Sequence, residues 1–309
     1  MPDLSDWPAD VVGLPEWISS VLPGNPVVEG PIDVLRVKSW GVTALFEVNG
    51  RSVVVKHTSP VLYPHAGAIH RAVQRACPQA TADLLAHADD PAWQRSVFAF
   101  VSGPTVEQAG PAALVEQART LGELQSRLAD TDLSGLPQYE LAAVPEALLS
   151  DLSRSGDVEE ELVTELRGRL GDLQRGIDEL STAVPLSLDH PDIQGTNGIV
   201  RDGGSVVVLD WEEARVGCPL LSLDRLLQEG DEAGNPAEVL AAYLNAVPWG
   251  RRRLAEVALQ LAPLKLAIEA RDYARTLQLP HLHTRYTTTL LTRSLSRLRG
   301  DLQLPPTYA

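Results

Sequence analysis

The residues with the clearest chemical potential lie on either side of a short β segment. His190-Pro191-Asp192-Ile193-Gln194-Gly195-Thr196-Asn197 precedes it and Asp210-Trp211-Glu212 follows it. Between them, Gly198 to Arg201 and Ser205 to Leu209 read as two strands joined by Asp202-Gly203-Gly204. If those three residues form the turn, antiparallel pairing sets Arg201 opposite Ser205 and residue 197 opposite 209. Asn197 then lies beside Asp210 at the open end of the hairpin, and Asp192 enters the same end from its loop. Two carboxylates and a carboxamide converge. Oxygen donors of this kind suit Mg²⁺, which takes one or two carboxylates and completes its shell with water and phosphate oxygens. A further carboxylate can orient and deprotonate a hydroxyl, and phosphoryl transfer needs that combination of positioning, metal and base.

The pattern His190-x-Asp192-x-x-x-x-Asn197, followed by Leu209-Asp210-Trp211-Glu212 and Asp224, resembles the aminoglycoside phosphotransferase/choline kinase family of protein-kinase-like small-molecule kinases. The resemblance spans roughly residues 30 to 290, with its strongest motifs in 188–224. It implies an α+β, two-lobed protein-kinase-like fold, with a small antiparallel β-sheet N-lobe and a larger, mainly helical C-lobe. It implies Asp192 as the catalytic base, His190 as the residue shaping the catalytic loop, and Asn197 and Asp210 as Mg²⁺ ligands. Lys56, closing Val53-Val54-Val55-Lys56, takes the place of the strand lysine that reaches the nucleotide phosphates. The segment Lys38-Ser39-Trp40-Gly41-Val42-Thr43 would cover those phosphates, with Ser39 at its tip. Phe98-Ala99-Phe100-Val101-Ser102-Gly103 resembles the interlobe hinge, where the Ala99 C=O and the Val101 N–H would meet the adenine edge. Leu121-Gly122-Glu123-Leu124 is followed by Gln125 where the family usually has histidine, and it reads as core scaffolding. Two departures stand out. Ala66 occupies the place of the helix glutamate that pairs with the strand lysine, so the resemblance names no anchor for Lys56. The catalytic loop carries Pro191 for glycine and Gln194 for histidine.

These residues need elements to hold them. Pro15 to Leu22 reads as a short helix. Ile32–Val37, Thr43–Val48 and Val53–Lys56 read as strands, with Asn49-Gly50 suited to a type I′ hairpin turn. Pro64–Cys77 has helical spacing, and Ser96–Val101 reads as a strand that stops at Ser102-Gly103-Pro104. Leu114, Ala118, Leu121, Leu124 and Leu128 recur with helical period, as do Leu162, Leu166, Leu170, Leu173, Ile177 and Leu180. Pro236 to Leu298 is helical again, broken near Pro248-Trp249-Gly250 and Pro280. The expected division is 1–102 for the nucleotide-covering N-lobe and 103–309 for the C-lobe with catalytic loop, metal site and acceptor pocket.

The chain has 309 residues, 26 Lys+Arg and 41 Asp+Glu, a formal charge of −15. Such acidity argues against nucleic acid or an anionic membrane as partner. The expected partners are a nucleoside triphosphate, ATP or GTP, with Mg²⁺, and a small hydroxyl acceptor. The charge suits a cationic acceptor such as an aminoglycoside, and Glu229, Asp231, Glu232, Glu269 and Asp272 could receive its ammonium groups. Trp211, Trp249 or Tyr273 could add cation–π contacts. Choline, ethanolamine or an amino sugar fits the same catalytic residues. A non-catalytic nucleotide-binding regulator is the competing class, motivated by Ala66. His281-x-His283 has metal-pair spacing without an evident third ligand. Two distant cysteines, Cys77 and Cys218, and the lack of a basic-then-apolar N-terminal run point to a cytoplasmic protein.

Overall fold

A computed structural model describes residues 13–38, 40–278 and 280–305, with the side chains of 280–284 outside the description. The chain divides into two compact units, Met1–Gly103 and Pro104–Ala309.

The first unit carries α1 (Leu14–Val21), strands β1 (Val28–Lys38), β2 (Gly41–Val48) and β3 (Arg51–Thr58), helix α2 (Ala66–Ala76), and strands β4 (Leu84–Asp89) and β5 (Gln94–Ala99). The strands form an antiparallel sheet in the order β1-β2-β3-β5-β4. Alternation places Val42, Ala44 and Phe46 of β2, Val53 and Val55 of β3, and Val97 of β5 on one face, where they bury against Leu14 and Ile18 of α1. Asn49 and Gly50 turn the β2–β3 hairpin with φ of 50° and 74°, the left-handed pair a type I′ turn requires. On the opposite face, the register aligns Thr43, Lys56, Ser96 and His87 in one row across four strands. Strand β4 is an edge strand without clear apolar alternation, which hides it from the sequence pattern. Strand β5 ends at Ala99, short of the expected Val101.

The second unit is mainly helical. Helix α3 (Val106–Ala109) starts from a capping box between Thr105 and Gln108, and α4 (Pro111–Ala129) buries Leu114, Ala118, Leu121, Leu124 and Leu128 as the spacing predicts. It is followed by α5 (Val144–Ser155), α6 (Glu160–Ala183), α7 (Leu223–Ala233), α8 (Pro236–Ala246), α9 (Arg252–Thr276) and α10 (Pro280–Arg299). Helix α9 continues through Pro263, which has no N–H to give the Leu259 carbonyl one turn earlier. Two small antiparallel pairs are set among the helices. One is β6 (Ser187–Asp189) with β9 (Arg215–Gly217), and the other is β7 (Gly198–Val200) with β8 (Val206–Val208). No helix among the described residues is long and apolar enough to cross a membrane.

Candidate active site

The β7–β8 hairpin has the register its turn residues predict. Arg201 N–H donates to the Ser205 carbonyl at 2.9 Å, and Leu209 N–H donates to the Asn197 carbonyl at 2.9 Å. Asn197 is thereby fixed beside Leu209-Asp210. Its side-chain Nδ2 donates to the Asp192 carbonyl at 2.8 Å and to Asp192 Oδ2 at 3.1 Å. With both amide hydrogens turned to Asp192, the Asn197 carboxamide presents Oδ1, an oxygen, on its other side. Asp210 adopts left-handed backbone angles, φ 57° and ψ 48°, at the end of β8. Non-glycine residues seldom take this conformation, aspartate more readily than most, and such strain concentrates at functional positions. The set offers hard oxygens, a carboxylate and a carboxamide, and this donor chemistry fits Mg²⁺.

Asp192 Oδ2 also accepts from Gln194 Nε2 at 3.2 Å, so one carboxylate oxygen is held from two sides. Burial raises the Asp192 carboxyl above its ordinary value, while His190, Arg225 and the Asn197 hydrogen bond act against that shift. His190 is fully buried and packs edge-on against Trp211, with ring centroids 4.7 Å apart. Its Nε2 lies 2.9 Å from the Leu209 carbonyl. A carbonyl only accepts, so this nitrogen carries the hydrogen. Burial lowers the His190 pKa from its ordinary value, against the opposing pull of the Leu209 carbonyl and the neighbouring carboxylates. His190 therefore ties the loop to the residue next to Asp210.

Several groups have positioning roles that are not evident in the sequence. Gln194, the residue standing for the family histidine, receives 2.6 Å from Arg225 on its Oε1, and its own carbonyl accepts from Gln117 Nε2 at 2.9 Å. Glu229 accepts from Gly195 N–H at 3.0 Å and pairs with Arg225 at 3.0 Å. Ser222 Oγ accepts from His190 N–H at 2.9 Å. Gln125 is a buried hub: its Nε2 donates to the Leu188 carbonyl at 2.8 Å and to Ser222 Oγ at 3.0 Å, and its Oε1 accepts from Tyr243 at 2.5 Å. These partners come from α4, α7, α8 and the turn that ends at Ser222, up to about a hundred residues away in sequence. The sequence marks Gln125 and Gln194 only as departures from the family pattern, and Glu229 as a receiver of ammonium groups rather than as a support of the loop.

Other residues take places that the sequence reading did not assign. Asp224 is fully buried and faces Arg293 at 2.9 Å and Arg297 at 2.6 Å, both on α10. Trp211 is fully buried, with Nε1 donating to the Val208 carbonyl, and Trp249 is buried as well, so both belong to the core rather than to an exposed cation-binding surface. Glu269 pairs with Lys265 and Arg215, and Asp272 with Arg275. Among the described residues, no group of three or more His, Cys, Asp or Glu could hold a metal. The His281 and His283 side chains lie outside the described residues.

Within the first unit, Lys56 is half-buried on β3, opposite Thr43 on β2 and Ser96 on β5. Beyond Ser96, its hydroxyl meets His87 Nδ1 at 2.9 Å, and His87 Nε2 meets Asp89 at 2.9 Å. Ala66 opens α2 and is buried. A Cβ on the neighbouring Gly67 would fall 2.2 Å from the His87 ring, so small residues at this helix start follow from close packing on β4. Ala99 ends β5, and its N–H donates to the Asp83 carbonyl at 2.9 Å. Val101 follows at a half-buried position, after an exposed Phe100. Ser39 lies outside the described residues.

The family model for the phosphotransferase enzyme family matches residues 39–257, more than half of the chain. Solved structures share the fold over nearly the whole chain. A choline/ethanolamine kinase family protein from Mesorhizobium loti has a TM-score of 0.64 at 19% identity, covering 92% of this chain and 94% of its own. A thermostable mutant of aminoglycoside phosphotransferase APH(4)-Ia, in a ternary complex with AMP-PNP and hygromycin B, has a TM-score of 0.63 at 13% identity, covering 91% and 99%. Spectinomycin phosphotransferase APH(9)-Ia, in complex with ADP and spectinomycin, has a TM-score of 0.59 at 12% identity, covering 93% and 98%. No curated protein matches the chain in sequence. The chain belongs to the phosphotransferase enzyme family and has its kinase-like fold.

Proposed function

We propose that this family member transfers the γ-phosphoryl group of ATP or GTP to a hydroxyl of a small, amino-bearing molecule. The observation that carries the reading is the joint fixing of Asp192 and Asn197: one carboxamide bonds both the backbone and the carboxylate of Asp192, while its own backbone is tied to Leu209 beside Asp210. Asp192 Oδ2 is held by Asn197 and Gln194, which leaves Oδ1 to accept the acceptor's hydroxyl proton. The freed oxygen then attacks the γ-phosphorus, and the nucleoside diphosphate leaves. Asn197 Oδ1 and the Asp210 carboxylate would hold Mg²⁺. A cation held there would supply positive charge against the negative charge on the transferring group. In the first unit, Lys56 would bind the phosphates, Ser39 would cover them, and Ala99 and Val101 would receive the base. The neighbours bound to ADP or AMP-PNP support a nucleotide donor. The expected setting is the cytoplasm.

The charge of −15 and the neighbours bound to spectinomycin or hygromycin B support a polycationic acceptor. A second reading, an acceptor with one ammonium or an amino sugar, is favoured by a specific observation. Glu229, Glu269 and Asp272 are each paired with cations of this chain and add no net charge for several ammonium groups. A coupled ADP-release assay against aminoglycosides, choline, ethanolamine and amino sugars tests both. Release with any of them supports transfer. Nucleotide binding with no turnover on the whole panel would favour a non-catalytic regulator instead.

A further inference from the structure

The second unit holds a buried ion-pair cluster that none of the roles above uses. Lys265, one of three lysines in the chain, lies on α9 with its side chain 3% exposed. Its Nζ meets Asp189 Oδ2 at 2.7 Å and Glu269 Oε2 at 2.9 Å, and it stands 5.0 Å over the Tyr139 ring. Glu269 also faces Arg215 at 3.7 Å. Asp189, itself 1% exposed, is the last residue of β6 and directly precedes His190. Its other oxygen, Oδ1, accepts the Ser222 hydroxyl at 2.9 Å. With its hydrogen so directed, Ser222 Oγ turns its lone pairs to the His190 N–H at 2.9 Å and to Gln125 at 3.0 Å. One unbroken chain of polar contacts thus runs from Lys265 through Asp189 and Ser222 to the backbone that opens the catalytic loop.

A buried ion pair is weak support for stability, because desolvation cancels much of its attraction. Its geometric effect is a separate matter. A hydroxyl can rotate, and Asp189 removes that freedom from Ser222; Asp189 in turn is held in place through its other oxygen by the Lys265 ammonium at 2.7 Å. Burial works to lower the Lys265 pKa, but Asp189 and Glu269 more than reverse this, so the cation is retained.

We propose that Lys265 is a positioning residue for the phosphoryl-transfer loop, acting through Asp189 and Ser222 to fix the His190 backbone and with it the placement of Asp192. This rests on the functional reading above for its catalytic consequence, but not for its structural one. Lys265→Met alone strands the Asp189 charge and can unfold the chain, so the test uses Asp189→Leu/Lys265→Met, which removes both charges and leaves Glu269 with Arg215. Deuterium uptake at the backbone amides of 190–197 is measured together with the thermal midpoint, kcat, KM and the Kd for MgADP. In the folded double variant, those amides should exchange at least about tenfold faster while α4 and α6 keep their protection. With an accepted substrate, kcat should drop about 10- to 100-fold, the scale of a small misplacement, with KM and Kd within about threefold. Unchanged exchange in 190–197, or an unchanged kcat in a folded variant, overturns the proposal. If the wild type turns over no acceptor, the functional reading fails by itself, and the exchange measurement still decides the loop assignment.

Discussion

The loop around Asp192 and the strand that carries Lys56 are held in opposite ways. The loop has almost no regular structure, and its partners are side chains sent in from distant helices: Gln117 from α4, Arg225 and Glu229 from α7, and Lys265 from α9 by way of Asp189. Lys56 sits in a continuous ladder, aligned by register with Thr43 and Ser96 and backed by the His87–Asp89 pair on the next strand. A ladder fixes the backbone and leaves a long side chain to be guided by its row. A loop of this kind must have each turn fixed individually, so its precision depends on many single contacts. The comparison teaches that the two regions should fail differently: the strand by losing one charge, the loop by losing geometry.

The largest expected effect is at the loop. Asp192→Ala should lower kcat by roughly a thousandfold, the scale of a lost general base, with nucleotide affinity nearly unchanged in titration calorimetry. Activity within tenfold of wild type would remove Asp192 from the reaction. Asp210→Ala should abolish the Mg²⁺ dependence of nucleotide binding, read by comparing affinities with and without the ion. Affinity that still responds to Mg²⁺ as in the wild type would reassign that carboxylate. On the strand side, Lys56→Met should weaken nucleotide binding about tenfold, as expected for one charge-assisted contact, without altering the fold. A loss of folding there would mean that the ladder depends on the lysine, and the contrast between the two regions would collapse.

Smaller effects sharpen the contrast. Gln125→Leu removes the partner of Leu188, Ser222 and Tyr243 at once and should cost about 2 kcal/mol in urea unfolding. A cost near zero would show that the hub is dispensable. The least effect concerns pH. Burial lowers His87 from its ordinary value of 6.5, so the folded state holds it neutral more firmly than the unfolded chain does. Its contribution is present above about pH 6.5 and fades as the pH falls through the lower folded value. His87→Gln should therefore flatten the loss of stability on acidification; an identical slope would place the titration elsewhere.

What could be read from the sequence follows from the same contrast. Asp192, Asn197 and Asp210 fall within one short stretch, and the Asp202-Gly203-Gly204 turn sets their register by local rules alone. The apolar spacing in α4 and α6 and the Asn49-Gly50 hairpin are likewise local. Strand β4 escaped because an edge strand need not alternate, and α5 because no spacing singled it out. Asp189, Ser222 and Lys265 escaped for a different reason: a buried lysine and a solvated one are the same letter, and only the tertiary fold shows which carboxylate it meets. Asp224 shows the reverse. The family pattern drew attention to it beside the metal residues, while its carboxylate is engaged by two arginines of α10.

The proline within α9 leaves one further consequence. The Leu259 carbonyl that Pro263 cannot serve accepts instead from Arg297, at 2.7 Å. An alanine at 263 would return the missing N–H and make that contact redundant. Substitutions at 263 and 297 are therefore epistatic: the tolerance of one depends on which came first. The coupling runs one way across thirty-four positions: Arg297 keeps its pairing with buried Asp224 whatever stands at 263, but its loss strips the Leu259 carbonyl of a partner only where residue 263 is proline.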